Sequence, residues 1–163
     1  MVSVGPAEVK SAHGGEAPAP KPLSYALIYR ASPMERVAMI KRGMPAAEAK
    51  SMIAGLSIAQ AVALKALNLS PATMNRKAAQ HQTLSPDESE RVIGLARLIG
   101  QLEVMIEESG DPRGFNATAW MSRWLREPLP AFGGLPPVEL MDTMEGQAMV
   151  STALAQMQSG AYA

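Results

Sequence analysis

The chain has 163 residues, of which 47% are hydrophobic and only 4% aromatic, with 15 basic residues against 15 acidic. That length allows one domain or two small ones, and the apolar fraction suffices for a buried core. The absence of cysteine excludes disulfides and thiolate metal sites, and His13 and His81 are too far apart to form an ordinary multi-histidine metal site alone. No apolar run reaches the roughly 18–20 residues of a membrane-spanning helix, and no continuous apolar segment at the start suggests a secretory signal. A cytoplasmic protein without membrane contact is expected.

The balanced charge hides an asymmetry. Residues 1–82 hold 10 Lys/Arg and 4 Asp/Glu, whereas residues 83–163 hold 5 and 11. A basic half suits a polyanionic partner, and an acidic half suits a different one. An Ala/Met/Leu-rich, aromatic-poor composition favours an all-α fold.

Residues 1–22 are rich in Pro, Gly and Ala and show no helical or strand period, so a flexible N-terminal segment is expected. Leu23 to Arg30 is apolar with Tyr25 and Tyr29, and reads equally as a short strand or a first helical turn. Ser32-Pro33-Met34-Glu35 then combines a capping serine, a proline at the first helical position and a glutamate at the third. Ser85-Pro86-Asp87-Glu88 repeats it, Ser57-Ile58-Ala59-Gln60 is a capping box without proline, and Ser70-Pro71 has cap and proline alone. Each serine oxygen can accept an otherwise unpaired amide proton, and proline loses no helical bond there. Helices are predicted over residues 33–42, 57–67, 71–80 and 86–108, with another over 46–54 ended by Gly55.

The 86–108 helix has the clearest period, with Val92, Leu95, Ala96, Ile99, Leu102 and Ile106 at three- and four-residue steps. Gly110-Asp111-Pro112 breaks it. Asn116 is expected to cap a helix bearing Trp120 and Trp124, which read as core residues rather than base-stacking platforms in these acidic surroundings. Phe132 to Pro137 reads as a turn. Val138–Glu145 and Gln147–Gln158 read as two last helices divided at Gly146. Met39, Met52, Met105 and Met149 are expected in the core; Met141 and Met144 are left open.

Residues 57–80 read as helix, short turn, helix. Ile58, Val62, Leu64 and Leu67 are the expected buried positions of the first helix. Asn68 tolerates the left-handed conformation that the turn requires, and Leu69 and Met74 can wedge between the helices. The second helix offers Thr73, Asn75, Arg76, Lys77 and Gln80 as DNA-binding candidates. Asn and Gln can pair bidentately with adenine and Arg with guanine in the major groove, while Lys and Thr can hold phosphates. A solvated helical hairpin has the same pattern, and Arg76 can equally pair with an acid on the long helix.

At this point the sequence resembles a known family. Leu67-Asn68-Leu69-Ser70-Pro71-Ala72-Thr73-Met74-Asn75-Arg76 is similar to the "LGLS-x-x-TL-x-R" segment of Xre-type antitoxins, and Leu84-Ser85-Pro86-Asp87-Glu88-Ser89-Glu90-Arg91 to their "LSP-x-ES-x-R". Trp124-Leu125, Pro128, Phe132-Gly133-Gly134, Pro137, Leu140-Met141, Thr143, Gly146, Val150, Leu154 and Gly160 follow the order of the family's C-terminal pattern. The likeness spans about residues 33–163 and is to the Xre/MbcA/ParS antitoxins of RES–Xre toxin–antitoxin pairs. Asn68 for Gly, Phe132 for Leu, and Met at 74 and 141 for Leu are departures that preserve packing.

The resemblance implies an Xre-like part over residues 23–83 that binds operator DNA and dimerises. It also implies a toxin-binding part over 84–163 that contains the long helix. The implied partners are a RES-domain toxin that consumes NAD and the operon's own DNA, with a homodimer inside a larger complex. No cofactor and no catalysis by this chain are expected, and the sequence has no GxGxxG, P-loop or cysteine nucleophile. For the toxin surface, Leu154, Met157, Gly160, Tyr162 and Ala163, with Ala153 and Ala161, offer a slim apolar end that could plug an active-site entrance. A frayed tail is the plainer reading of the same residues. A stand-alone repressor without a toxin is the alternative for the whole chain.

Overall fold

A computed structural model describes residues 24–160. Its helices are α1 (Tyr25–Arg30), α2 (Pro33–Arg42), α3 (Ala46–Ala54), α4 (Gln60–Ala66), α5 (Pro71–Ala79), α6 (Pro86–Ser109), α7 (Ala117–Trp124) and α8 (Met144–Gln158). Short 3-10 turns at Pro130–Phe132 and Pro137–Leu140 lie between α7 and α8. No strand occurs among the described residues, so the fold is all-α as expected. The segment 1–22 lies outside the described residues.

The helices begin where the caps fall. Ser32 and Ser85 form complete capping boxes, each accepting from the amide three residues on while Glu35 and Glu88 accept from the serine amides at 2.6 and 2.9 Å. Ser24, Ser70, Asn116 and Thr143 cap α1, α5, α7 and α8 through one side-chain oxygen each. Ser57 is the exception. Its amide donates to Ser122 Oγ at 3.0 Å, and α4 starts three residues later after Ala59 with no side-chain cap. The tie to α7 holds Ser57 outside the helix, which sequence periodicity alone does not reveal. Shortened in this way, α4 buries Ala63 and Leu64 with Leu67 just beyond, and leaves Val62 47% exposed rather than buried.

The ambiguous Leu23–Arg30 stretch is helical from Tyr25. Six residues cannot hold a helix alone, and two features compensate. The Arg36 guanidinium donates to the Ile28, Tyr29 and Ala31 carbonyls and so closes the C-terminal end of α1. The backbone of α1 also lies directly on Gly100 of α6, where an added Cβ would stand 2.0 Å from the Tyr25 carbonyl oxygen.

α6 organises the rest. Val92, Leu95, Ala96, Ile99 and Leu102 are buried as the period predicts, but so are Ile93, Leu98, Gln101 and Val104. A helix buried nearly all round must be covered on several sides, and α1, α2, α7 and α8 all pack on it. Both expected parts of the chain therefore share one core.

α8 corrects a second expectation. One helix runs through Gly146, and the residues before it form only the 3-10 turn Pro137–Leu140. Gly146 is no breaker: an added Cβ would meet the Leu140 carbonyl oxygen at 1.9 Å, so glycine admits that turn against the first turn of α8. Val150, Ala153 and Leu154 form the buried face, which leaves Met149 44% exposed rather than in the core. Met52 is buried, Met39 and Met105 pack half-buried on the core, Met141 is buried and Met144 exposed.

Candidate nucleic-acid and partner-protein surfaces

α4, the Asn68 turn and α5 form the helix-turn-helix. Asn68 adopts φ 50°, the left-handed region that asparagine tolerates better than most residues. Leu69 and Met74 are buried, and α5 packs against α3. The carbonyls of the turn are held from α6: Arg91 Nε donates to Leu67 O at 2.6 Å and a terminal nitrogen to Asn68 O at 3.2 Å. A second clasp lies at Ser89, fully buried, whose Oγ accepts from the Met44 amide at 2.8 Å. Beside it the chain segments pair, with Ala46 N donating to Gln82 O and Leu84 N to Met44 O. Arg91 thus ties α6 to the turn of the hairpin, and Ser89 ties α6 to the connection between α2 and α3.

The five DNA-binding candidates divide by face. Met74 points inward, so Asn75, Arg76 and Gln80 fall on the solvent side and all three are exposed. Thr73 sits half-buried on the flank, its amide donating to the Ser70 cap. Lys77 is turned the other way. Its Nζ lies 3.0 Å from Glu88 Oε2, and the two side chains are only 18% and 20% exposed. The expected pairing between α5 and an acid on the long helix therefore exists, made by Lys77 and not by Arg76. Lys77 is committed to that internal ion pair, which corrects its expected place on the reading surface. Partial burial alone would raise the Glu88 carboxyl, but the Ser85 amide and Lys77 together outweigh it and hold the group below the ordinary carboxylate range.

The C-terminal part presents an apolar surface where α6, α7 and α8 converge. Leu154 is fully buried there, with Ala153. Leu154 is thus a core side chain, a correction to its expected role at the partner surface: it faces α6 on the stripe set by Val150. Met157, one turn on, is 37% exposed. Gly160 is exposed at φ +70° with open space around it. Tyr162 and Ala163 lie outside the described residues. A groove of about 230 Å³ runs beside Met157 and is floored by Leu102 and Leu154, with Met105, Ile106, Phe115 and Trp120 along it. Trp120 stacks on the buried Trp124 at 5.7 Å between ring centres.

The sequence reading did not single out Phe115, Met105 and Ile106 as surface candidates; the only signal was apolar residues flanking the Gly110-Asp111-Pro112 break. It also missed the polar pairs that tie α8 to α6. Ser151 Oγ donates to Gln101 Oε1 at 2.6 Å, and Gln101 Nε2 returns to Ser151 O at 3.0 Å. Gln147 Nε2 donates to Arg91 O and Met141 O, and its Oε1 is buried without a partner, against Gly94. Among the described residues no helix is long and apolar enough to cross a membrane, and no cluster of three His, Asp or Glu could hold a metal ion.

Two family models match along the chain. Residues 35–97 match the antitoxin Xre-like helix-turn-helix domain. Residues 114–160 match the antitoxin Xre/MbcA/ParS C-terminal toxin-binding domain. The chain is 58% identical over 142 residues to a Prs ADP-ribosylating antitoxin of Sphingobium sp. (strain YBL2), covering 87% of this chain and 89% of that one. It is 28% identical over 88 residues to an antitoxin Xre of Pseudomonas putida, covering 54% of this chain and 50% of that protein. Fold and matches together define an antitoxin with a helix-turn-helix domain, the protective member of a toxin–antitoxin system, which implies a cognate toxin as partner. The chain belongs to the Xre/MbcA/ParS antitoxin family.

Proposed function

We propose that this chain neutralises a RES-type toxin encoded beside it by covering that toxin's active site, and represses its own operon through α5. The toxin is one that spends NAD. The name of the Sphingobium relative, which couples an antitoxin to ADP-ribosylation, supports this reading, because ADP-ribosylation consumes NAD. The antitoxin acts as a binding protein, as a homodimer within a larger antitoxin–toxin complex in the cytoplasm.

On the toxin side, Met157 and Gly160 carry the contact, continued by Tyr162 and Ala163. An exposed Met adapts to an irregular partner surface, and Gly160 at positive φ lets the chain leave the helix axis. On the DNA side, the observation that carries the proposal is the outward set Asn75, Arg76 and Gln80 on the second helix of the hairpin. Thr73 beside the capped N-terminus is suited to a phosphate.

Co-expression with the adjacent gene tests the toxin side. The adjacent product alone should deplete cellular NAD and stop growth, and this chain should restore both. Persistent depletion in the presence of the intact chain contradicts neutralisation. A gel shift with the DNA upstream of the operon tests repression, with no shift at any salt contradicting it.

A further inference from the structure

We propose that Met157 is a site of reversible oxidation: a peroxide converts its thioether to the sulfoxide, and the chain then releases its toxin. The inference rests on the toxin contact proposed above for Met157 and adds a chemistry that controls it. The chain holds 12 methionines and no cysteine, so no thiol competes with methionine sulfur for a peroxide. Burial sorts those sulfurs. Met44, Met52, Met74, Met121 and Met141 are buried, out of reach of an oxidant in the folded chain. Met34 on α2 and Met144, Met149 and Met157 on α8 are exposed.

The surroundings set Met157 apart from the other two on α8. Its groove is lined by Leu102, Ile106, Phe115, Trp120 and Leu154 among others, and no lining residue is charged. The hydroxyl and amide among them, on Ser109 and Gln158, are already engaged: Ser109 Oγ donates to Ile106 O at 3.2 Å and Gln158 Nε2 to Glu108 Oε2 at 3.4 Å. A thioether in such a place packs against an apolar partner. A sulfoxide oxygen is an acceptor that a toxin closing over the groove would strip of water, with neither of those donors free to replace it. Met144 instead lines a groove shared with Arg97, Gln147, Ser151 and Thr152, where a sulfoxide has polar neighbours. Met149 lies two turns before Met157, about 12 Å along the helix.

The oxidation is a two-electron oxygen transfer. The sulfur lone pair attacks one oxygen of hydrogen peroxide, and the S–O bond forms as the O–O bond breaks. The departing hydroxide takes the proton from the transferred oxygen and leaves as water. Sulfur is oxidised and the peroxide reduced. A methionine sulfoxide reductase reverses the change, using an external dithiol as reductant and returning thioether and water.

To test this, the full chain is treated with dilute hydrogen peroxide, freed of it, and then offered the adjacent gene's product, with sulfoxides located by mass spectrometry. Sulfoxide at Met157 should weaken capture at least tenfold with unchanged helical circular dichroism, and methionine sulfoxide reductases with a dithiol should restore it. The double variant Met144→Leu/Met149→Leu should capture the product before peroxide and lose it afterwards, as wild type does. Met157→Leu, whatever its starting affinity, should keep that affinity after peroxide. Undiminished capture by a chain oxidised at Met157 overturns the assignment. So does a Met157 that stays a thioether while Met144 and Met149 convert, or an equal peroxide loss in Met157→Leu. Failure of the untreated wild-type chain to capture the product contradicts the antitoxin reading and this inference with it, whereas capture that survives oxidation contradicts the inference alone.

Discussion

The two candidate surfaces are built in opposite ways. On α5 the candidates are polar, and the helix itself sorts them: Met74 faces in, and Asn75, Arg76 and Gln80 face out. On α8 the candidates are apolar, and the core competes for them. Leu154 went to the core entirely, whereas Met157, three residues on, stayed partly exposed. A polar helical face is legible from its period, because burial without a partner is costly. An apolar side chain gives no such sign, since core and docking surface ask for the same residue types.

The sharpest way to break the comparison is to exchange the two kinds of residue on α8. Leu154→Ala should lower stability by about 2–5 kcal/mol, as expected for a buried leucine, read as a lower Tm or urea midpoint. Met157→Asp should leave both nearly unchanged and abolish capture of the adjacent toxin. If Leu154→Ala is silent in melting, the assignment of Leu154 to the core is wrong.

Next in size is Arg91. Its hydrogen bonds to Leu67 O and Asn68 O fix the turn before α5. Charged hydrogen bonds of this kind contribute about 1.5–3 kcal/mol. Arg91→Ala should lower stability accordingly and increase hydrogen exchange at the amides around Asn68. Exchange there equal to wild type would remove Arg91 from that role.

Arg76→Ala should weaken operator binding by about 1–3 kcal/mol at fixed salt if Arg76 reads a guanine, with Tm unchanged because the side chain is exposed and makes no ion pair to a described residue. Lys77→Ala should do the reverse, losing a little stability before affinity. Equal operator affinity for wild type and Arg76→Ala would take Arg76 off the reading surface.

The smallest effect belongs to Glu88. Its carboxyl is depressed in the folded chain, so its stabilisation is complete above the unfolded carboxylate value and is lost as pH falls through the depressed folded value. Glu88→Gln should flatten stability across that acid window, by about 1 kcal/mol or less. An unchanged acid limb in denaturant titrations would count against the Lys77–Glu88 pair.

The contrast also explains what the sequence made legible. Caps at Ser32, Ser70, Ser85 and Asn116 announced their helices because each signal is local. Ser57 misled because a distant partner, Ser122, took its amide. Gly146 misled because glycine serves both as a breaker and as a site of close approach, and only the position of the Leu140 carbonyl tells which. The preference of Asn68 for positive φ was readable from residue type; its clasp by Arg91, 23 residues away, was not. Lys77 and Arg76 differ only by one helical step, and the location of Glu88 decided between them.

The central claim is that α5 and the end of α8 are separate working surfaces on one shared core. Its most direct measurement is a crossed assay on Arg76→Ala and Met157→Asp, scoring operator affinity and toxin capture for each. Arg76→Ala should lose the operator and keep the toxin, and Met157→Asp should lose the toxin and keep the operator. Joint loss of both activities in either variant, with circular dichroism intact, would contradict it.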